Sequence, residues 1–184
     1  MQVTQVGHQI LVDTVAVDLG IVECAHRFSG LCERKAVQEA LKKCLGDFGP
    51  FAFYAIQERM WVRIGRLLDE PETRTSKGKR PNASLLAVEE QCKSMRSPSM
   101  QRWKTRFAET RNRCFCHADL FSVAAHAEYE WFAGEIGMFL DQGWDVLREG
   151  AGVLGTNLPE RETDQIGQML LSAKRGLGVG VRNV

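Results

Sequence analysis

The stretch F-A-F-Y-A-I-Q-E-R-M-W-V-R-I-G-R-L-L, Phe51 to Leu68, carries the reading of the fold. Phe53, Ile56, Met60, Ile64 and Leu67 recur every three or four residues, the spacing that lines one face of an α-helix. Trp61 and Leu68 widen that stripe, which predicts a central helix. Upstream, residues 4–45 show the same period through Ile10, Val17, Ile21 and Cys24, then Leu31, Val37, Leu41 and Cys44. A break is expected near Ser29-Gly30, and Gly46, Gly49 and Pro50 end the run.

Downstream, residues 69–81 are polar and basic and contain Pro71, Gly78 and Pro81, which predicts an exposed, mobile loop. A third helix is expected to start at Asn82 or Ser84, either of which can cap it, and to run to about Met95. Ser97-Pro98 signals the start of a fourth helix, through Trp103, Phe107, Thr110, Cys114, His117 and Phe121. A fifth is expected over residues 127–147, with Trp131, Phe132, Met138 and Phe139, broken by Gly150, Gly152 and Gly155. A short last helix over 159–174 precedes a glycine-rich tail.

The chain is therefore read as all-α: one helical domain over residues 1–175 and a flexible tail over 176–184. Its 184 residues suffice for one sizeable core. Scarce prolines and scarce period-two Val/Ile/Thr runs favour helix over sheet. The most apolar stretch, Ile10 to Val22, carries Asp13 and Asp18 and is too short to span a membrane. The first residues lack the pattern of a secretory signal, so a cytoplasmic protein with reduced thiols is expected. Cys24, Cys32, Cys44, Cys92, Cys114 and Cys116 form no C-x-x-C pair, and no metal or other cofactor is expected.

Net charge is only +1, but it is unevenly spread along the chain. Residues 74–113 hold 11 Lys/Arg against 3 acids, a local +8 that leaves −7 for the rest. Such segregation can focus an anionic ligand, and it equally describes a solvated face. At its end lies Arg111-Asn112-Arg113-Cys114-Phe115-Cys116-His117. On a helical wheel of about 100° per residue, Phe107, Thr110, Cys114, His117 and Phe121 fall within about 40° of Trp103. His117 thus lies on the apolar seam. Arg106 and Arg113 border it on one side, and Arg111 on the other, about 120° from His117 and about 9 Å along the axis.

Arg111 and His117 of one straight helix converge poorly on one small group. A two-fold pairing of two chains would bring the Arg of one toward the His of the other. Two Arg and two His could supply proton transfer and charge stabilisation for RNA cleavage. A satisfied interior His beside a solvated Arg rim accounts for the same pattern. A metal at Cys114 and His117 lacks a second ligand pair, and Ser122 with His126 lacks an orienting acid. Glu128, Glu130 and Glu135 read as a solvated face, and His8 and His26 as packing or surface residues.

Arg, a polar residue, a short gap and His, late in a long helix, resembles the motif of the HEPN superfamily. R-N-R-C-F-C-H-A-D (Arg111 to Asp119) and W-V-R-I-G-R-L-L-D (Trp61 to Asp69) are similar to abortive-infection AbiU-type HEPN proteins, over roughly residues 50–145. The resemblance implies a HEPN-like bundle of long antiparallel helices with additional short ones, dimeric, with the motif helices meeting at the two-fold axis. It implies a metal-independent endoribonuclease in a phage-defence or toxin role. By it, Arg111 would hold the scissile phosphate, His117 would transfer protons, and Asn112 would position substrate. Arg113, Arg106, Lys77, Lys79 and Arg80 are the further candidates for binding RNA. Expected partners are RNA, a second copy of the chain and a cognate antitoxin or regulatory protein; a membrane is not. Cys114 and Cys116 depart from the motif. Asp119 stands where the variant modified by a nucleotidyltransferase partner has Tyr. A helical RNA-binding or partner-binding module without catalysis is the alternative expectation.

Overall fold

A computed structural model describes residues 5–32, 34–93, 95–110 and 122–161; positions 50, 109–110 and 122–132 are described in backbone only. The element order is α1 (Gln5–Cys32), α2 (Lys35–Leu45), α3 (Phe48–Leu67), β1 (Glu72–Thr75), β2 (Gly78–Pro81), α4 (Leu85–Gln91), α5 (Gln101–Thr110) and α6 (Ser122–Leu154). The fold is mostly helical, as expected, with one small antiparallel hairpin. No described helix is long and apolar enough to cross a membrane.

The core forms where α1 lies against α3 and α6. Leu11, Val12, Val15, Leu19 and Val22 bury one side of α1. They meet Met60, Trp61, Ile64 and Leu67 of α3 and Ile136, Phe139, Trp144 and Leu147 of α6 in one cluster. Each such side chain contributes roughly 1.5–3 kcal/mol by leaving water. The reading of 51–68 as central therefore holds, with the helix beginning three residues earlier, at Phe48.

Charges cross-link the same helices. Asp18, 1% exposed, accepts from Arg63 and lies 3.3 Å from Arg66, fastening α1 to α3. Glu23, also buried, binds Arg27, Arg161 and the indole of Trp144. His26 faces Gly137 of α6, whose Cα is close enough that an added Cβ would lie 3.9 Å from Nε2.

Burial lowers the His26 pKa; nearby Glu23 opposes the shift and Arg27 adds to it. Below the unfolded value of 6.5 the unfolded chain takes up a proton that the folded chain resists. Stability should therefore fall as pH drops from there through the folded pKa. Thermal melts between about pH 7.5 and 5.5 are expected to show that decline, and His26→Gln to flatten it. An equal decline in both proteins would place the titration elsewhere.

Several boundaries differ from the sequence expectation. Ser29 and Gly30 do not break the first helix, which runs on to Cys32; Ser29 is wholly buried within it. Residues 72–81 are not an irregular loop but a hairpin, with Arg74 opposite Lys79 and Thr73 opposite Arg80. The third helix ends at Gln91, short of Met95, and Ser84 rather than Asn82 caps it, accepting from Ala87 N–H at 3.1 Å. Ser97-Pro98 does not start α5, which begins at Gln101.

Gly150 and Gly152 sit inside α6, and the chain turns at Gly155, where φ is +65°. Gly150 is required by a close approach: a Cβ there would lie 2.3 Å from Val88 Cγ1. Residues 159–161 are not helical, and the rest of the expected last helix lies outside the described residues.

Candidate functional site

The fourth-helix seam can be followed as far as Ala108 in side-chain detail. Trp103 and Phe107 are buried. Trp103 stacks on Phe107 at 5.3 Å between ring centroids, and Phe107 meets Trp61 edge-on at 5.5 Å and Phe139 at 5.6 Å. The first two seam positions are therefore filled by the chain's own α3 and α6, not left open for a second copy.

Long-range polar contacts set the start of α5. Glu89 of α4 accepts from Met100 N–H at 2.7 Å and from Ser99 Oγ. Glu149 of α6 accepts from Arg96 N–H, Ser97 N–H and the Ser97 hydroxyl, and the hydroxyl contact leads in holding its carboxyl below the usual range. Gln142 is buried; it accepts from the Trp103 indole at 2.9 Å and from Arg102, and donates to the Pro98 carbonyl. These contacts also fix the direction of α5. Arg102 meets Gln142 while Arg106 meets Glu135, so α5 runs antiparallel to α6.

The hairpin lies across from this helix, fully exposed. A cleft of about 440 Å³ opens between them, lined by Leu68 and Asp69 at the end of α3, Glu70, Glu72, Thr73 and Arg74 at and in β1, and Lys104, Phe107 and Ala108 of α5. Asn82 closes the hairpin base, donating to the Glu70 carbonyl and to Thr73 Oγ1, both at 2.7 Å. Gly78, at φ +116°, provides the turn. All eight strand residues are exposed.

The sequence-predicted residues divide accordingly. Arg111, Asn112, Arg113 and His117 lie outside the described residues, as do Cys114 and Cys116. Arg106 is described and bound elsewhere: Nε and Nη2 fork onto the Glu135 carboxylate at 2.9 and 3.0 Å, and that hydrogen bonding raises its pKa. Glu135 is thus a partner of α5 and not merely part of a solvated face. Lys79 pairs with Glu72 at 2.7 Å, and Lys104 pairs with Glu70. Lys77 and Arg80 are exposed, and no ion pair involves them or Arg74 among the described residues. The basic stretch is consequently less segregated in space than along the chain. Glu70, Glu72 and Glu135 come from outside it; among the described residues of the stretch, the cations without an ion pair are Arg74, Lys77 and Arg80 on the hairpin and Lys93, Arg96 and Arg102 elsewhere.

Sequence reasoning missed the hairpin and the buried amide of Gln57, and it counted Arg74 only as one charge of the basic stretch. Gln57 has no exposed surface, and neither amide atom has a hydrogen-bond partner. A buried polar group left unmatched costs about 1–3 kcal/mol. Gln57→Leu is therefore expected to raise the melting temperature in a thermal melt; a fall would show that the amide does structural work. Among the described residues no group of three His, Cys, Asp or Glu side chains could hold a metal. Compared with known protein families, with characterised proteins and with solved structures, the chain matches none.

Proposed function

We propose that the protein is a HEPN-like, metal-independent endoribonuclease that acts on cellular RNA in a phage-defence or toxin role, with its site completed by a second copy of the chain. The Arg74 edge of the hairpin, at a cleft shared with α5 and lined also by Asp69, Glu70, Glu72 and Lys104, is the observation that supports this reading. The cleft sets Arg74, beside Lys77 and Arg80, next to the helix that reaches Ala108, three residues before Arg111. A backbone phosphate held on the hairpin would then lie on a path toward the Arg111–His117 segment. Arginine forks onto phosphate oxygens and histidine titrates in the range needed for proton transfer. The helical bundle, with α5 antiparallel to α6, is compatible with the implied architecture.

The test is incubation of a structured RNA with the protein in excess chelator. Cleavage products are expected from the wild type and not from Arg111→Ala or His117→Ala. Wild-type cleavage by both variants, or cleavage abolished by the chelator, would remove the assignment.

The non-catalytic alternative, an RNA-binding or partner-binding module, is favoured by one observation: Arg106 is engaged by Glu135. It predicts RNA binding that weakens with salt and yields no products.

A further inference from the structure

Helix α1 has two apolar sides, and the described chain covers only one of them. Leu11, Val12, Val15, Leu19 and Val22 meet α3 and α6 in the core. On the opposite side stands a second row at helical spacing: Val6, Ile10, Val17, Ile21 and Cys24. Val6 is 68% exposed, and Ile10 and Val17 are each 59% exposed. A helix that is apolar all round is ordinarily buried all round. The row is open to close approach, because a Cβ added at Gly20 beside it would meet nothing within 4 Å. A groove of about 500 Å³ runs along it, lined by Val17, Ile21, Cys24, Trp144 and Pro159.

The chain itself leads into this groove. After Gly155 it follows the flank of α1, held in turn by three of its side chains. Gln5 donates to the Gly155 carbonyl at 2.7 Å. Gln9 exchanges two hydrogen bonds with the Asn157 backbone, at 2.9 and 3.0 Å. Arg161 sets Nε and Nη2 on the Glu23 carboxylate, one residue from Cys24. Residues 162–184 continue from that anchor. Among them Ile166, Met169, Leu170 and Ala173 recur at the i, i+3, i+4, i+7 spacing of a helix that lays one apolar face in a groove. Asp164 heads that stretch and Lys174-Arg175 end it, the order a helix dipole favours.

We infer that residues 163–175 dock as a helix on the outer face of α1, antiparallel to it. From the Arg161 anchor, a run back toward the start of α1 is what covers Ile21, Val17 and Ile10 in turn. The lengths agree: a helix over 163–175 extends about 20 Å, and Cys24 to Ile10 spans about 21 Å. The charges agree as well. Asp13 stands exposed between Ile10 and Val17 and makes no ion pair among the described residues. The antiparallel run brings Lys174 and Arg175 to its level. The tether favours this segment over an outside partner, since a link of a residue or two gives an effective concentration in roughly the millimolar range. A lipid surface fits less well, because α1 places Asp13 in the row and has no Lys or Arg before Arg27 to meet anionic headgroups. Docking needs no ribonuclease activity.

Hydrogen exchange of the full chain, read by mass spectrometry, tests it. The amides of 163–175 are expected to exchange at least roughly tenfold more slowly in the wild type than in Val17→Asp. Val17 lies outside the core, so that variant should keep its helical circular dichroism and the exchange rates of α3. Asp13→Lys should speed exchange of the same segment, and adding Lys174→Glu and Arg175→Glu should slow it again. Cys24 gives an independent readout: its alkylation should be slower in the wild type than in Met169→Asp with Leu170→Asp. A wild-type segment that exchanges at the unprotected rate, or is protected but indifferent to Val17→Asp, overturns the proposal. So does protection that disappears on dilution, which would make a second copy the occupant. Flotation of the wild type with phosphatidylserine vesicles through Ile10 and Val17 overturns it in favour of lipid.

Discussion

Glu23→Ala is expected to lower the melting temperature by roughly 6–12 °C. Glu23 is 3% exposed and accepts from four donors. Arg27 reaches it at 2.8 Å from one turn along α1. Arg161 brings Nε and Nη2 to the two carboxylate oxygens at 3.0 Å each, contacts that lead in raising its pKa. The buried Trp144 indole donates at 3.2 Å. Truncation leaves that N–H without its acceptor inside the core. It also releases Arg161, which stacks over the Trp144 ring at 5.5 Å and anchors the segment after α6.

Breaking a buried charge pair costs about 3–5 kcal/mol when the orphaned charge stays buried. Arg27 and Arg161 are about one-third exposed and can rehydrate, so the lower end, about 3 kcal/mol, applies here. Gln5 and Gln9 hold the same segment through Gly155 and Asn157, which limits the loss to one clasp of three. Glu23→Gln keeps an acceptor for Trp144 and loses the ion pairs, so an intermediate shift is expected. Calorimetry decides: a change smaller than about 2 °C for Glu23→Ala would mean that the cluster contributes little.

Helix α3 was legible because it buries a stripe at helical spacing, whereas in α1 the period was right and the face was not: Ile10 and Val17 are each 59% exposed, and Val12, Val15, Leu19 and Val22 face the core instead. Met60, Ile64 and Leu67 are buried as their period requires. The hairpin was not legible because it buries nothing. Its residues alternate without an apolar face, so no period-two signal exists, and contacts from Asn82 and the Glu72–Lys79 pair brace it instead. Local rules failed where distant groups intervened. Ser97-Pro98 looks like a cap in isolation, yet Glu149, 52 residues away, takes the Ser97 N–H and hydroxyl. Gly150 looks like a breaker, yet its role is to admit Val88 against the helix.

The same limit applies to the candidate site. Counting charge along the chain put Lys79, Lys104 and Arg106 in one basic stretch. Folding returns acids to all three, from Glu72, Glu70 and Glu135. A linear count cannot see that, because the partners of Lys104 and Arg106 lie 34 and 29 residues away. The seam was legible as far as it is described, since Trp103 and Phe107 both face the core. Its occupation by Trp61 and Phe139 closes those turns within the chain.

His117→Ala is expected to reduce the RNA cleavage rate roughly 10²–10⁴-fold, the usual worth of a positioned general acid or base. Arg111→Ala should fall in the same range if the guanidinium stabilises the charge that develops on the phosphorane oxygens. Arg111→Lys keeps that charge but loses the two-point fork, so partial activity is expected. RNA binding should survive in all three variants, because the hairpin cations Arg74, Lys77 and Arg80 are untouched; Lys77→Ala with Arg80→Ala should instead weaken binding and flatten its salt dependence. A wheel separates Arg111 from His117 by about 120° in one straight helix, so the proposed reading expects each chain to supply half a site. Mixing Arg111→Ala with His117→Ala protein and allowing subunits to exchange should then recover part of the activity, since one composite site regains one Arg and one His. The rates are read by gel from a labelled structured RNA in excess chelator. Recovery on mixing would place the two residues on opposite chains of one site. Undiminished cleavage by either single variant would take that residue out of the chemistry.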